Sequence, residues 1–308
     1  MSLLEGLNPQ QSAAVTHAGT PLLVVAGAGS GKTRVLTRRI AYLLAERNVA
    51  PYEILAITFT NKAANEMKER VIELVGARAK AMWVSTFHSA CVRILRSDAA
   101  ALGYSNSFTI YDSSDSIRLV TLVMKDMNLD PKKYNARAIA GLISDAKNEL
   151  IGPADFVQNV KNQFDEIVAE VYSHYQRRLG SANAMDFDDL IGRTVELFQR
   201  HPEVRAKYRS RFKHILVDEY QDTNHAQYIL IRELVGNDLE GIPAAELCVV
   251  GDADQSIYGF RGATIRNILQ FEEDFPDATT ILLEQNYRST QNILSAANSV
   301  ISQNESRK

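Results

Sequence analysis

Residues 26–33, Ala-Gly-Ala-Gly-Ser-Gly-Lys-Thr, carry the most pointed chemistry in the chain. Gly27, Gly29 and Gly31 allow a turn so tight that several N–H groups point into one concavity. At the start of a helix, such a concavity suits a phosphate chain. Ala26, Gly27, Ala28, Gly29, Ser30 and Gly31 would wrap the phosphates, Lys32 would reach the β- and γ-phosphates, and the Thr33 hydroxyl would ligate Mg²⁺. The first position departs from the usual pattern, with Ala26 in place of glycine. A flexible turn is the plainer account, and the Lys-Thr pair between a strand and a helix argues against it.

Other groups complete a phosphate-transfer set. Ile215-Leu-Val-Asp-Glu219 is an apolar run ending in two carboxylates. In a phosphate-loop enzyme this strand is expected beside the loop's own strand, with Asp218 holding Mg²⁺. Glu219 would orient or deprotonate the attacking water. Gly251-Asp-Ala-Asp-Gln-Ser256 follows another apolar run, which places Gln255 where it can donate to a γ-phosphate oxygen or to that water; a polar turn is the alternative. In Asn286-Tyr-Arg-Ser289, Arg288 either reaches a γ-phosphate across a domain cleft or is structural, and Tyr287 could stack on the nucleotide base.

Three stretches mix aromatic with small polar or basic residues just past a strand. They are Thr58-Phe-Thr-Asn-Lys62, Ser85-Thr-Phe-His88 and Tyr258-Gly-Phe-Arg261. Thr58, Phe59, Asn61, Lys62, Thr86, His88, Tyr258, Phe260 and Arg261 suit single-stranded nucleic acid, with bases stacked on rings and phosphates held by polar groups. Each aromatic taken singly also suits a core. Asp186, Asp188 and Asp189 read as the start of a helix, where carboxylates favour the dipole, in preference to a metal site.

The elements that would position these groups alternate at first. Asn8-Pro9 opens a helix carrying Gln11. Strands follow at 22–26, 54–58 and 83–85, and helices at 32–46, from a Thr60 cap to Gly76, and from 87 to 102. That alternation predicts an α/β fold with a parallel sheet. Residues 113–212 then read as helix after helix, about 114–128, 135–148, 163–180 and 186–200, with no convincing interior strand. Strands return at 214–219 and 247–251, so an inserted helical domain interrupts one sheet domain. A last strand from 280 to 284 precedes a Ser289-capped helix, and the chain stops within this βα unit as if cut.

Composition sets outer bounds. With 308 residues, 45% hydrophobic and 23% charged, the chain is an ordinary globular protein large enough for two domains. No apolar run approaches the roughly 20 residues of a membrane span, and no signal peptide is visible, so a cytoplasmic protein with no membrane partner is expected. Cys91 and Cys248 read as reduced core residues. A net charge of −3 argues against a mainly electrostatic nucleic-acid binder. Residues 1–108, however, hold 12 basic and 7 acidic residues, a net of +5 that permits a local phosphate track.

Taken together, these motifs resemble the UvrD/Rep/PcrA branch of superfamily-one DNA helicases, over essentially every residue from Leu7 on. Leu7–Gln11 resembles the Q motif, with Gln11 as its adenine-reading glutamine. Residues 26–33 resemble motif I, and Arg34 its nucleotide-contacting arginine. Residues 57–67 resemble motif Ia, 85–89 the next DNA-contacting motif, 217–222 motif II, 251–262 motif III and 285–290 motif IV. Phe260 stands where many relatives carry tryptophan, and Gly259 where many carry a larger residue. The family's later motifs, including a second γ-phosphate arginine, have no counterpart here.

The resemblance implies a RecA-like ATPase domain at 1–108 and 213–279. It implies a helical subdomain at 109–212, and the first strand and helix of a second RecA-like domain at 280–308. It further implies an ATP- and Mg²⁺-dependent 3′→5′ DNA helicase acting on single strands and on single-strand/duplex junctions in repair or replication. The 308 residues alone are expected to bind ATP and single strands with little hydrolysis and no unwinding. Two rivals are a non-motor phosphate-loop kinase or GTPase, and a nucleotide-gated DNA clamp without catalysis.

Overall fold

The computed structural model describes residues 2–237, 241–255, 266–269 and 271–301. Its strands are β1 (Leu22–Ala26), β2 (Ile54–Thr58), β3 (Trp83–Thr86), β4 (Thr109–Tyr111), β5 (Ala184–Asp186), β6 (His214–Val217), β7 (Glu246–Gly251) and β8 (Thr279–Leu283). Six of them form one sheet in the order β3-β2-β6-β7-β1-β8, with every neighbouring pair parallel. All six C-terminal ends therefore open on one edge, where α/β sheets place their ligands.

The helices before the helical block are α1 (Pro9–Thr16), α2 (Lys32–Ala45) and α3 (Asn61–Val75). β1 and β2 are apolar on both faces, as a covered parallel sheet requires. Leu22, Val24, Ile54 and Ala56 share one core with Val35, Leu36, Ile40, Leu43 and Leu44 of α2 and with Met67 and Val71 of α3. Arg39 of α2 is buried, and its Nη1 donates to the carbonyls of Ala14 (2.9 Å) and His17 (2.8 Å), which closes the C-terminal end of α1.

The sheet order corrects one expectation. β6 does not lie beside β1, because β7 runs between them. The acidic end of β6 is thus one strand further from the phosphate loop, and the end of β7 enters the site. Likewise, the strand read as opening a second sheet is paired with β1, from Leu22↔Thr279 to Ala26↔Leu283. Ser289 lies in the turn before the last helix, where its N–H donates to Asn286 Oδ1 at 2.8 Å.

The chain groups into two compact units. One is Met1–Phe87 with Ala206–Thr223 and Leu234–Lys308; the other is His88–Arg205 with Asn224–Glu233. The helical run begins with α4 (Phe87–Asp98), α5 (Ser113–Asp126), α6 (Ala136–Asn148) and α7 (Pro153–Gln158). It continues with α8 (Gln163–Ser181), α9 (Phe187–Arg200), α10 (Pro202–Arg211) and α11 (His225–Val235). Residues 88–98 thus group with the helical unit, ahead of the change of pattern at 109 read from the sequence. Short helices α12 (Arg266–Leu269) and α13 (Phe271–Asp274) and the longer α14 (Gln291–Ile301) complete the described chain.

The helical unit has its own core, including Val120, Ile139, Ile143, Val168, Val171, Tyr172 and Tyr175. It also contains two strands the sequence reading lacks: β4 and β5 pair in parallel over three residues, too short for a period to show. Cys91 and Cys248 are both buried and not joined. Among the described residues, no helix is long and apolar enough to cross a membrane.

Asp186 caps α9 as expected, accepting from Asp189 N–H at 2.8 Å. The structure adds a buried lysine. Lys147 Nζ donates to Asp186 Oδ2 at 2.6 Å and lies 3.0 Å from Asp189 Oδ1, and Tyr175 OH donates to Asp186 at 2.8 Å. Burial alone would lower the Lys147 pKa, but the two facing carboxylates reverse that and hold it high. Replacing Lys147 with Met leaves buried Asp186 without its cation and Asp189 with only Arg193, whose Nε is 3.9 Å away. The expected loss is about 3–5 kcal/mol, read as a lower urea midpoint of the helical signal; an unchanged midpoint would contradict it.

Candidate functional site

The site forms where β1, β6, β7 and β8 end. After Ala26 the chain turns through Gly29 (φ 72°) and Gly31 (φ 90°), and α2 starts at Lys32. Both glycines are required by space as well as by backbone. A Cβ on Gly29 would lie 2.6 Å from Arg288 Cβ, and one on Gly31 would lie 2.9 Å from Gln11 Nε2.

Four consecutive loop carbonyls are each engaged. Gly27 O accepts from Ser30 Oγ at 2.7 Å, and Ala28 O accepts from Asn286 Nδ2. Gly29 O accepts from Tyr287 N at 2.9 Å, and Ser30 O accepts from Gln11 Nε2 at 2.9 Å. Among the described residues, no acceptor takes up the N–H groups of Gly29, Gly31, Lys32 and Thr33. The loop therefore presents donors and withholds acceptors, as an anion site must. Gln11 is itself buried, and its Oε1 accepts from Asn8 N–H at 3.1 Å in the cap of α1. Tyr287 OH accepts from Asn8 Nδ2 at 3.0 Å. Arg34 is exposed, with its guanidinium against Gly6.

Lys32 Nζ lies 3.5 Å from Glu219 Oε2 and 3.9 Å from Asp252 Oδ2. It is buried yet makes no hydrogen bond among the described residues. An ammonium with three unused donors beside a donor-lined cradle fits a ligand rich in anionic oxygens. Asp218, Glu219, Asp222 and Asp252 supply more negative charge than Lys32 balances, and Thr33 opens α2 beside the cradle, so hard oxygen donors for a divalent cation are at hand. Gln255 lies in a short turn and donates through Nε2 to Asp252 Oδ2. Arg288 is exposed, its N–H donating to Asn286 Oδ1 at 2.8 Å.

The nucleic-acid candidates divide. Phe59 is half-buried, edge-on to Phe87 with ring centroids 5.9 Å apart. Asn61 and Lys62 are exposed at the start of α3. Thr58 is buried with its hydroxyl donating to Thr60 O at 3.0 Å, and Thr86 is buried at the end of β3. In the helical unit, His88 is half-buried and packs edge-on against Phe187 at 5.7 Å. Tyr258, Phe260 and Arg261 lie outside the described residues.

A family model described as the UvrD/REP helicase N-terminal domain matches residues 7–276. The chain belongs to this family. It is 64% identical over 311 residues to a protein named ATP-dependent DNA helicase UvrD1 from Mycobacterium tuberculosis (strain CDC 1551 / Oshkosh), covering 99% of this chain and 40% of the relative. It is 55% identical over 306 residues to ATP-dependent DNA helicase PcrA from Bacillus subtilis (strain 168), covering 99% and 41% respectively. The chain thus spans about 40% of the length of the curated relatives it matches.

Three residues enter the site without having been singled out from sequence. Asp252 shares Lys32 with Glu219, Gln221 donates to Glu219, and Asn286 fastens the loop. Each sits inside a motif already recognised, so the signal was proximity to a named residue. Only the sheet order shows which of these neighbours face the loop.

Asp218 is almost wholly buried at the end of β6. Burial pushes its carboxyl up to about 6 from the ordinary 3.8, and the Glu219 charge adds to the rise. A folded-state value above the unfolded one means the ionised form is penalised in the fold. The penalty is absent below about pH 4, grows between 4 and 6, and is complete above, at roughly 3 kcal/mol. Asp218→Asn is therefore expected to raise the melting temperature at pH 8, with the gain gone at pH 4. Calorimetry at the two pH values checks this, and equal melting at pH 8 would refute it.

Proposed function

We propose that the full-length protein is an ATP-dependent 3′→5′ DNA helicase, and that this chain supplies its first ATPase domain and an inserted helical subdomain. The observation that carries the reading is the buried, unbonded Lys32 ammonium between a donor-lined cradle and the Glu219 and Asp252 carboxylates. The relatives' names, ATP-dependent DNA helicase, support the motor over a kinase or a passive clamp.

In this reading the N–H groups of Gly29, Gly31, Lys32 and Thr33 hold the triphosphate, and Gln11 and Tyr287 take the adenine. Bound Mg²⁺, held by Thr33 and Asp218, would neutralise charge on the β- and γ-phosphate oxygens. Glu219 takes a proton from water as its oxygen bonds the γ-phosphorus. The bond to the bridging oxygen breaks, and ADP and inorganic phosphate leave. Lys32 stabilises the charge that grows on the oxygens in transit, while Gln255 and Arg288 bind the γ-phosphate. The single strand crosses the loops after β2 and β3, with Phe59 offering a stacking face and Asn61 and Lys62 holding phosphates. Thr86, His88, Tyr258, Phe260 and Arg261 are the further residues assigned to DNA contact, and single-strand/duplex junctions are the substrate. We place this work, in repair or replication, in the cytoplasm.

Glu219→Gln in the full-length gene product should keep ATP binding and lower DNA-stimulated turnover by about 10²–10⁴-fold. Lys32→Ala should weaken ATP binding itself. Titration with a fluorescent ATP analogue and a phosphate-release assay separate the two effects. Unchanged turnover in Glu219→Gln would overturn the reading.

A further inference from the structure

We propose that Gln221 is a positioning residue that aims the Glu219 carboxylate at the phosphate loop. This rests on the reading of Glu219 as the group that activates water.

Glu219 needs such help. Its backbone is left-handed, at φ 50° and ψ 46°, a conformation that side chains seldom adopt. Its side chain is 38% exposed, so packing alone does not hold it. Gln221, two residues on, is 1% exposed. Its Nε2 donates to Glu219 Oε2 at 2.8 Å, and that same oxygen is the one 3.5 Å from Lys32 Nζ. The other end of the amide, Oε1, accepts from Asp252 N–H at 3.0 Å. One buried amide thus ties the end of β6 to the end of β7 and sets the direction of the carboxylate between them.

The amide has one workable orientation. Turned over, its oxygen would face the Glu219 carboxylate and its NH₂ would face the Asp252 N–H, so both contacts would become repulsive. The strand end is shaped to admit it. A Cβ on Gly251 would lie 2.9 Å from Gln221 Oε1. The turn is fastened beyond it as well, since Asn267 Nδ2 donates to Thr223 O at 3.1 Å and Thr223 Oγ1 donates to Tyr220 O at 2.7 Å. Gln221 spends its amide nitrogen on Glu219 and its oxygen on Asp252 N–H, and its influence on the reaction passes through Glu219.

The test is a double-mutant cycle on ATP hydrolysis by the full-length gene product with saturating single-stranded DNA, followed under single-turnover conditions where rates are low. Gln221→Met should lower kcat by about 10–100-fold. KM for ATP should stay within about twofold, because the cradle and Lys32 are untouched. In a Glu219→Gln background, the same replacement should cost less than about twofold, because the group it aims is gone. If the two losses multiply instead, Gln221 acts independently of Glu219 and the proposal falls, while the role of Glu219 stands. If Glu219→Gln alone leaves turnover intact, the underlying reading fails. Should Gln221→Met be insoluble, Gln221→Glu, which keeps the shape and the acceptor for Asp252 N–H, goes through the same cycle. Insolubility of both variants assigns the amide to folding and overturns the proposal.

Discussion

Peptide carbonyls repel phosphate, so a backbone cradle works only when its own oxygens are held elsewhere. In this chain that constraint is met four times in succession. The carbonyls of Gly27, Ala28, Gly29 and Ser30 are taken by Ser30, Asn286, Tyr287 and Gln11. Two of the partners come from the turn after β8, and one comes from α1. The rest of the unit serves this arrangement. β8 pairs with β1 so that its following turn lands on the loop, and Arg39 closes α1 so that Gln11 stays in place.

The second theme is unbalanced charge. Around one lysine stand Asp218, Glu219, Asp222 and Asp252. Burial and the Glu219 charge raise both Asp218 and Asp222 above their ordinary values. Without a ligand these groups oppose folding. With a divalent cation and a triphosphate, the same groups become donors and counter-charges. The helical unit shows the opposite case. There Lys147 meets Asp186 and Asp189 at hydrogen-bond distance, and the cluster is satisfied within itself.

Much of this was legible in the residues. The run from Leu22 to Thr33 announced a strand, a loop and a helix start, because glycine spacing and a Lys-Thr pair have few other uses. The helical block was legible from its period and its caps. What escaped was order in the third dimension. Nothing local to Ile215–Glu219 says that β7 intervenes before β1, because strand order is set by long-range pairing of similar apolar runs. β4 and β5 were missed because three residues carry no period. Gln221 and Asp252 were quoted inside motifs yet given no part, because an amide's role depends on what stands opposite it. The aromatic stretches illustrate the converse. Thr58 and Thr86 share polar side chains with their neighbours, yet they are buried where Asn61 and Lys62 are exposed.

The pairing of β1 with β7 and β8 also fixes a timetable. β1 leaves the ribosome well ahead of both of its partners, which are encoded more than two hundred residues later. At about 5–20 residues per second, β1 waits on the order of tens of seconds with both edges bare. The helical unit, complete at Glu233, emerges whole before β7 begins. The nascent protein thus has a finished helical part while β1 is still unpaired and open to aggregation or to chaperones.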